Sequence, residues 1–292
     1  MSDEAAPTQL RVLVGIDLTE RSRNAFLRAV EIARSRGAAL SLLHVTSDVL
    51  PQQVANAHDT FATDVLHDLV SKAQAEGVVD VTQVLVHGRD YETIIEQARK
   101  QNSNLIVIGT HRPSSIIQDM LGTTADRVLR YGAVPVLLVR RKAESAYNTI
   151  LVAVDFSSAS QNAMELVIRM FPRARIVALT AYGSPRRSIL GDDRQAREVA
   201  AETRRLALKG FLAEVVQSLE SSFDPNVTEI VTVAERGWAE DVILRYAEEH
   251  KPDLIVVGTH ARGGLQRAVL GSVAEWVLTE APVDVLAVPP TA

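Results

Sequence analysis

The chain contains no cysteine, and this absence excludes several kinds of site at once. Without a thiol there can be no disulfide, no cysteine nucleophile and no thiolate metal site. Long apolar runs are also missing, and none approaches the roughly twenty residues that a transmembrane helix needs. The sequence therefore predicts no membrane partner.

An excess of positive charge is lacking as well. The formal net charge is -5 and the isoelectric point is near 5.8, whereas nucleic-acid binding usually requires a basic surface. The first ten residues, MSDEAAPTQL, are acidic and polar and do not resemble a secretory leader. We therefore expect a cytoplasmic protein that has no nucleic-acid partner.

The sequence does contain an internal repeat. The segments VLVGIDLTERSRNAF and ILVAVDFSSASQNAM align with an offset of 138 positions, as between Asp17 and Asp155. Further on, LIVIGTH and LIVVGTH repeat with an offset of 149 positions, as between Gly109 and Gly258. With 292 residues, the chain is long enough for two domains. We predict a first domain at 1–142 and a second at 148–292, joined by a polar linker at about 141–148.

Each repeat alternates short apolar runs with longer amphipathic segments. The runs, such as ALSLLHV and DLIVVG, are apolar on both faces, which is typical of parallel strands covered by helices. The fold class predicted is α/β, with two repeated doubly wound domains, each a five-stranded parallel sheet flanked by helices. Helices are predicted at 20–36, 52–76, 90–102, 122–132, 158–171, 192–222, 238–250 and 271–280.

Parallel sheets of this kind bind ligands at the carboxyl ends of their strands, where the strand order reverses. Asp17 and Asp155 end the first strand of each unit, and Gly109 and Gly258 end the fourth. A Gly-Ser or Gly-Thr pair follows before the next helix, whose unpaired N–H groups suit phosphate oxygens. The same residues are also ordinary turn and cap signals, with Thr19 and Ser157 as caps. Both interpretations stay open at this point.

The second copy, with Gly258, Ala261, Gly271 and Ser272 after a fourth strand, resembles the nucleotide-binding motif of the universal stress protein family. The family pattern is G-x-x-G, nine residues, then G-S/T. The resemblance covers nearly the whole chain, twice, and implies a tandem-domain member with an adenine nucleotide alpha hydrolase-like fold. It also implies a cytoplasmic stress-response protein, in a family where some members bind ATP and others do not.

The resemblance implies that the second domain is the better nucleotide site. Ala261 stands where the family has its second glycine, and in the first domain Arg112 occupies this position. The implied nucleotide-binding residues are Asp155, Ala181, Gly258, His260, Ala261, Gly271, Ser272 and Val273. A degenerate first-domain site would comprise Asp17, Gly109, His111, Arg112, Gly122 and Thr123.

Three histidines of the first repeat, His44, His87 and His111, are expected at the same sheet edge as Asp17. Imidazoles with a carboxylate can bind a metal. The second repeat has Thr180 and Arg236 where the first has His44 and His87, so we favour hydrogen bonding over a metal site. No catalytic residue is assigned.

The sequence favours a nucleotide-responsive regulatory protein that binds ATP, accompanied by Mg²⁺. The alternatives are a nucleotide-free structural or adaptor stress protein and a weak ATPase. Neither a G-x-S-x-G elbow nor a G-x-x-x-x-G-K-S/T phosphate loop is present. The last strands, at 136–139 and 285–288, are apolar and suited to pairing. Pairing of the two domains is therefore expected, and a homodimer is left open.

Overall fold

The computed structural model describes residues 9–49, 51–110, 122–183, 194–219, 223–259 and 270–290. These residues form two compact units, and the chain passes from the first to the second between Ala146 and Tyr147. Within these ranges, no helix combines the length and the apolar character that crossing a membrane requires.

The first unit alternates strands and helices. Its elements are β1 (Arg11–Gly15), α1 (Glu20–Arg36), β2 (Ala39–Ser47), α2 (Gln52–Ala75), β3 (Val81–Gly88), α3 (Asp90–Lys100), β4 (Leu105–Gly109), α4 (Thr123–Tyr131) and β5 (Val136–Val139).

The second unit repeats this order. Its elements are β6 (Thr149–Ala153), α5 (Ser158–Met170), β7 (Arg175–Tyr182), α6 (Arg194–Ser218), β8 (Ile230–Arg236), α7 (Ala239–His250), β9 (Leu254–Gly258), α8 (Ser272–Glu280) and β10 (Asp284–Val288).

All strand pairs within each unit are parallel. The order is β3-β2-β1-β4-β5 in the first unit and β8-β7-β6-β9-β10 in the second. The central strands are buried on both faces because helices cover both, which explains their continuous apolar runs. The strand order reverses between β1 and β4 in the first unit and between β6 and β9 in the second. These are the switch points at which the carboxyl ends of the strands leave a crevice.

The predicted fold class is confirmed, and the predicted helices correspond to α1 to α8 with small differences at their ends. One strand is shifted from its sequence signal: the run VTEIVTV at 227–233 predicts a strand there, whereas β8 is Ile230–Arg236. Asp224 causes the difference, because its carboxylate accepts the N–H of Asn226 at 2.8 Å. Its carbonyl also accepts the N–H groups of Val227 and Thr228, so this apolar stretch begins in a turn.

The segment predicted as a linker makes hydrogen bonds within both units, through Ser145 in the first and Tyr147 in the second. Arg28 is buried in the first unit and donates from Nη1 to the carbonyl of Ser145 at 2.8 Å. In the second unit, the Tyr147 hydroxyl donates to Oδ2 of Asp284 at 2.6 Å. Asp284 begins β10 and is 1% exposed, so the tyrosine contributes a hydrogen bond to a carboxylate whose burial is costly without such bonds. The ring of Tyr147 also meets the ring of Phe171 edge-on at 5.5 Å between centroids.

Candidate functional site

The acid after the first strand of each unit lies in a hydrogen-bonded turn. In the first unit, Oδ1 of Asp17 accepts the backbone N–H of Thr19 at 3.0 Å and its hydroxyl at 2.6 Å. In the second, Oδ1 of Asp155 accepts the same two groups of Ser157, at 3.0 and 2.5 Å. Thr19 and Ser157 cap the next helices, as predicted, because their hydroxyl oxygens accept N–H groups of the first turn. Each carboxylate is thus held by the residue that caps the following helix.

The residue between acid and cap has a left-handed backbone in both units. Leu18 has φ of 62° and Phe156 has φ of 65°, a conformation that costs roughly 1–2 kcal/mol for a residue other than glycine. Nothing in the sequence marked these positions, since neither is glycine or asparagine. The hydrogen bonds of the neighbouring carboxylate offset the strain. Such strained turns are concentrated at functional sites.

The carboxyl group of Asp17 has a lowered pKa. Partial burial acts to raise this pKa, but the combined effect of the other groups is larger and of opposite sign. Hydrogen bonds from the hydroxyls of Thr19 and Ser22, the N–H of Thr19 and the charge of Arg21 all favour the ionised form. Asp17 is therefore a carboxylate at neutral pH.

The glycines that end the fourth strands allow a strand and a helix to approach closely. A Cβ on Gly109 would overlap the carbonyl group of Arg21 at the start of α1. A Cβ on Gly258 would lie 2.9 Å from Cβ of Ala159 and 3.0 Å from its carbonyl carbon, at the start of α5. This packing accounts for both glycines without a ligand, and it explains why the repeat retains them.

A cavity lies at the carboxyl ends of β6, β7 and β9 in the second unit. It offers about 610 Å³ of space, including the part that is open to solvent. The N-terminal ends of α7 and α8 complete the walls of the cavity. Its lining residues are Ala153, Val154, Asp155, Leu179, Ala181, Ala239, Ile243, Val257, Gly258, Gly271, Ser272, Val273 and Ala274.

Six of the residues selected from the sequence surround this cavity: Asp155, Ala181, Gly258, Gly271, Ser272 and Val273. They come from four elements that are far apart in the sequence, and the switch between β6 and β9 brings them together. Four other selected residues, His111, Arg112, His260 and Ala261, lie outside the described residues.

The two helices that follow the glycine loops begin alike. Gly271 precedes α8 with φ of -65°, Gly122 precedes α4 with φ of -51°, and neither helix start receives a side-chain cap within the described parts of the chain. Ser272 and Thr123 are the first helical residues. The first N–H groups of an α-helix have no partner inside the helix. The start of α8 therefore presents donors and partial positive charge to the cavity.

The apolar walls of the cavity were not predicted from the sequence. Leu179 lies on β7 and Val257 on β9, and neither was selected from the sequence as a site residue. Ala239 and Ile243 are one turn apart on α7 and together line one side. Their i, i+4 spacing is an ordinary core signal, so no sequence pattern could distinguish a cavity wall from a packed core.

Two of the three histidines lie at the edge predicted for them. His44 is 4% exposed, and its Nδ1 lies 2.7 Å from the carbonyl oxygen of Ile16. Since a carbonyl only accepts, Nδ1 carries the proton. Nε2 of His87 lies 2.8 Å from Oδ2 of Asp59 on α2, and Oδ1 of Asp59 accepts the Thr46 hydroxyl at 2.8 Å. Across the described residues, no group of three or more His, Asp or Glu side chains could hold a metal.

Asp59 is expected to make the first unit sensitive to acid. The Thr46 hydroxyl lowers the pKa of Asp59 below its ordinary value of 3.8, burial opposes this, and His87 lowers the pKa further. A lowered folded-state pKa contributes stability above the unfolded-state pKa, and this contribution is lost as pH falls through the folded-state pKa. Wild type should thus be more stable than Asp59→Asn at neutral pH, with the difference vanishing below pH 3.8. Urea unfolding of both proteins along a pH series measures this difference, and a constant gap would contradict the assignment.

Comparison with known proteins agrees with the repeat. A sequence model described as the universal stress protein family matches twice, over residues 10–140 and 146–289. A universal stress protein of Mycolicibacterium smegmatis is 26% identical over 298 residues, covering 97% of this chain and 98% of that protein. One from Mycobacterium tuberculosis is 25% identical over 319 residues, covering 98% and 97%. The similarity therefore extends across both units.

Solved structures show the same fold. A universal stress protein from Archaeoglobus fulgidus superposes with a TM-score of 0.71 at 20% identity, covering 97% of this chain and 98% of that one. A protein from Pseudomonas aeruginosa, described as a putative universal stress protein, gives 0.68 at 24% identity, covering 97% and 94%. At these identities, the likeness establishes the architecture.

Proposed function

Because this chain belongs to the universal stress protein family, we propose that it is a stress-response regulatory protein that binds an adenine nucleotide, ATP, mainly in its second unit. The cavity at the switch point of that unit carries the proposal. Binding there would change the surface offered to a partner.

The sheet order supports an extended ligand. β7 and β9 lie on opposite sides of β6, so a molecule lying across the cavity has one end near β7 and α7 and the other near α8. The α8 end provides the helix start at Gly271 and the hydroxyl of Ser272. Unpaired N–H groups at a helix start favour phosphate. We therefore assign the phosphates to the α8 end.

The opposite end suits a flat, mostly apolar base. Leu179, Ala239 and Ile243 supply apolar walls, and Ala181 supplies backbone groups at the end of β7. Between the two ends lies Asp155, whose carboxylate oxygens can accept sugar hydroxyls. The order of base, sugar and phosphate thus follows the order of β7, β6 and α8.

Magnesium would enter with the triphosphate. Mg²⁺ is commonly bound through one or two carboxylates together with substrate phosphates. Among the residues that line the cavity, Asp155 is the carboxylate, and its Oδ1 already accepts two hydrogen bonds from Ser157. The residues therefore fit an ion held chiefly by phosphate oxygens. Cytoplasmic location and pairing of the two units, with a homodimer as an extension, belong to the same proposal.

A nucleotide-free adaptor is the second candidate, and one observation favours it. Asp155 and Gly258 both have structural roles, one in a turn and the other in strand–helix packing. These residues would be needed even without a ligand. A weak ATPase is the third candidate, since hydrolysis of a bound triphosphate requires only a positioned water.

Calorimetric titration with Mg²⁺ and ATP distinguishes these candidates. We expect wild type to bind, and Ala261→Gly to bind up to about tenfold more tightly because it restores the family pattern and removes a methyl group. A nucleotide-free adaptor would show no ATP binding either as wild type or as Ala261→Gly. If neither protein takes up ATP at millimolar concentration, the nucleotide proposal is wrong.

A further inference from the structure

The two units differ in the residues exposed on the helix that follows each glycine loop. α4 and α8 each have nine residues and occupy the same place in their repeats, so Arg127 corresponds to Trp276. At the last position of each helix, Tyr131 corresponds to Glu280. Tyr131 is 58% exposed, Trp276 is 48% exposed, and the other two are exposed as well. The same helix therefore presents a cation and a tyrosine in one unit, and a tryptophan and a carboxylate in the other.

The exposed residues of α4 form one surface with the start of α3. The guanidinium carbon of Arg127 lies 4.9 Å from the centre of the Tyr91 ring, and the ring centres of Tyr91 and Tyr131 are 6.1 Å apart. Arg89 is paired with Glu92, whereas Arg127 makes no ion pair within the described part of the chain. We call Tyr91, Arg127 and Tyr131 the arginine–tyrosine surface.

The corresponding surface of the second unit is aromatic and acidic. Tyr91 is the second residue of α3, and Glu240 is the second residue of α7, which packs against α8. Trp276 and Glu280 are one turn apart on α8, which makes them neighbours on one face, and α8 contains no basic residue. We call Glu240, Trp276 and Glu280 the tryptophan–carboxylate surface. Trp238, two residues before Glu240, is 49% exposed.

These two surfaces are complementary in their chemistry. A guanidinium stacks on the face of a tryptophan ring, which attracts cations more strongly than other aromatic rings, and it can form a bidentate pair with a carboxylate. Arginine, tyrosine and tryptophan are also the residues that dominate the binding energy of protein interfaces. Two tryptophan–carboxylate surfaces would repel each other, because both are acidic. Each surface is therefore suited to bind the other one.

We propose that a second copy of this chain binds here, with the arginine–tyrosine surface of one copy against the tryptophan–carboxylate surface of the other. Arg127 lies over the ring of Trp276 of the other copy and pairs with Glu280, one turn further along α8. In a two-fold dimer, each copy contributes both surfaces. The homodimer that the sequence leaves open is thus assigned to helices rather than to the last strands. The inference does not depend on nucleotide binding.

The experiment measures self-association of the full chain by sedimentation equilibrium without ATP. We expect wild type to dimerise as its concentration rises. Arg127→Glu and Glu280→Arg each replace an attraction by a repulsion, and each should raise the dissociation constant by about tenfold or more. The control, Arg34→Glu, makes the same charge change as Arg127→Glu at a side chain of α1 that is 53% exposed. It should associate like wild type.

A mixture of the two variants gives a result that misfolding cannot imitate. When Arg127→Glu and Glu280→Arg are combined, the two reversed charges meet in one contact and the two native charges meet in the other. Dimers should therefore form between the variants, with a dissociation constant within about threefold of the wild-type value. Failure of the mixture to associate, when wild type does associate, overturns the inference.

Tryptophan fluorescence locates the contact, because Trp238 and Trp276 are the two tryptophans of the chain. Emission should shift to shorter wavelength, and quenching by acrylamide should fall, as wild type or the mixture associates. A wild type that stays monomeric at about millimolar concentration overturns the inference, and so does association that both single variants retain. Calorimetric titration with ATP is a separate measurement, so failure here leaves the proposed function intact.

Discussion

Aspartate at position 271 is expected to lower ATP affinity by at least about 100-fold without unfolding the second unit. Its carboxylate would accept the first N–H groups of α8, which are the groups proposed to bind phosphate. It would also place a negative charge beside the phosphates, and two like charges about 4 Å apart repel by roughly 4 kcal/mol near a protein surface. Aspartate is a favoured residue at a helix start, so the stability of α8 should not fall.

The matched control is Gly122→Asp, which makes the same change before α4 in the first unit. Gly122 has φ of -51°, and a Cβ added there would meet no neighbour within 4 Å among the described residues, so an aspartate fits. Calorimetric titration should show near-normal ATP binding by Gly122→Asp and loss of binding by Gly271→Asp. Equal effects of the two substitutions would contradict assignment of the nucleotide to the second unit.

Alanine at position 109 is expected to destabilise the first unit by about 3 kcal/mol, near the upper end of the cost of overpacking. The added methyl group would overlap the carbonyl of Arg21, which is backbone and cannot rotate away. Either β4 or the start of α1 must shift, and the turn that holds Asp17 shifts with it. Urea unfolding measures the cost as a lowered midpoint.

Two other glycines provide comparison variants. Gly258→Ala should cost less, because its closest contact is the methyl group of Ala159 at 2.9 Å. Gly210 lies exposed within α6, where an added methyl group would have no neighbour within 4 Å in the described part of the chain. Gly210→Ala should therefore stabilise the second unit by about 0.5–1 kcal/mol. If Gly109→Ala were as harmless as Gly210→Ala, the strand–helix contact would not be as close as described.

The layout of the fold could be predicted from sequence because its signals are local or repeated. Strands buried on both faces must be apolar throughout, and α1 begins after the capping Thr19 and ends before Gly37, whose φ of 59° suits glycine. The start of β8 was misplaced because a turn formed by Asp224 competes with strand formation over residues with high strand propensity.

The site was only partly predictable. The edge on which Asp155, Gly258 and Gly271 meet follows from topology, because the carboxyl ends of parallel strands share one edge. The packing role of Gly258 and the left-handed backbone of Phe156 depend on contacts between elements. Arg204 on α6 donates a hydrogen bond to the carbonyl oxygen of Ala181, 23 residues away in the sequence, and nothing local distinguishes it from other arginines of α6. Such contacts are tertiary, and periodicity does not encode them.

The hydrogen bond between Tyr147 and Asp284 limits where the polypeptide can be divided. A second unit expressed alone from residue 148, the boundary predicted from the sequence, would lack Tyr147. It would omit the hydroxyl that serves a carboxylate buried at the start of β10. A second fragment that begins at or before Tyr147 retains the hydrogen bond to Asp284. A first fragment that extends through Ser145 retains the carbonyl that accepts from Arg28. We therefore infer that the two units are best separated between Ala146 and Tyr147.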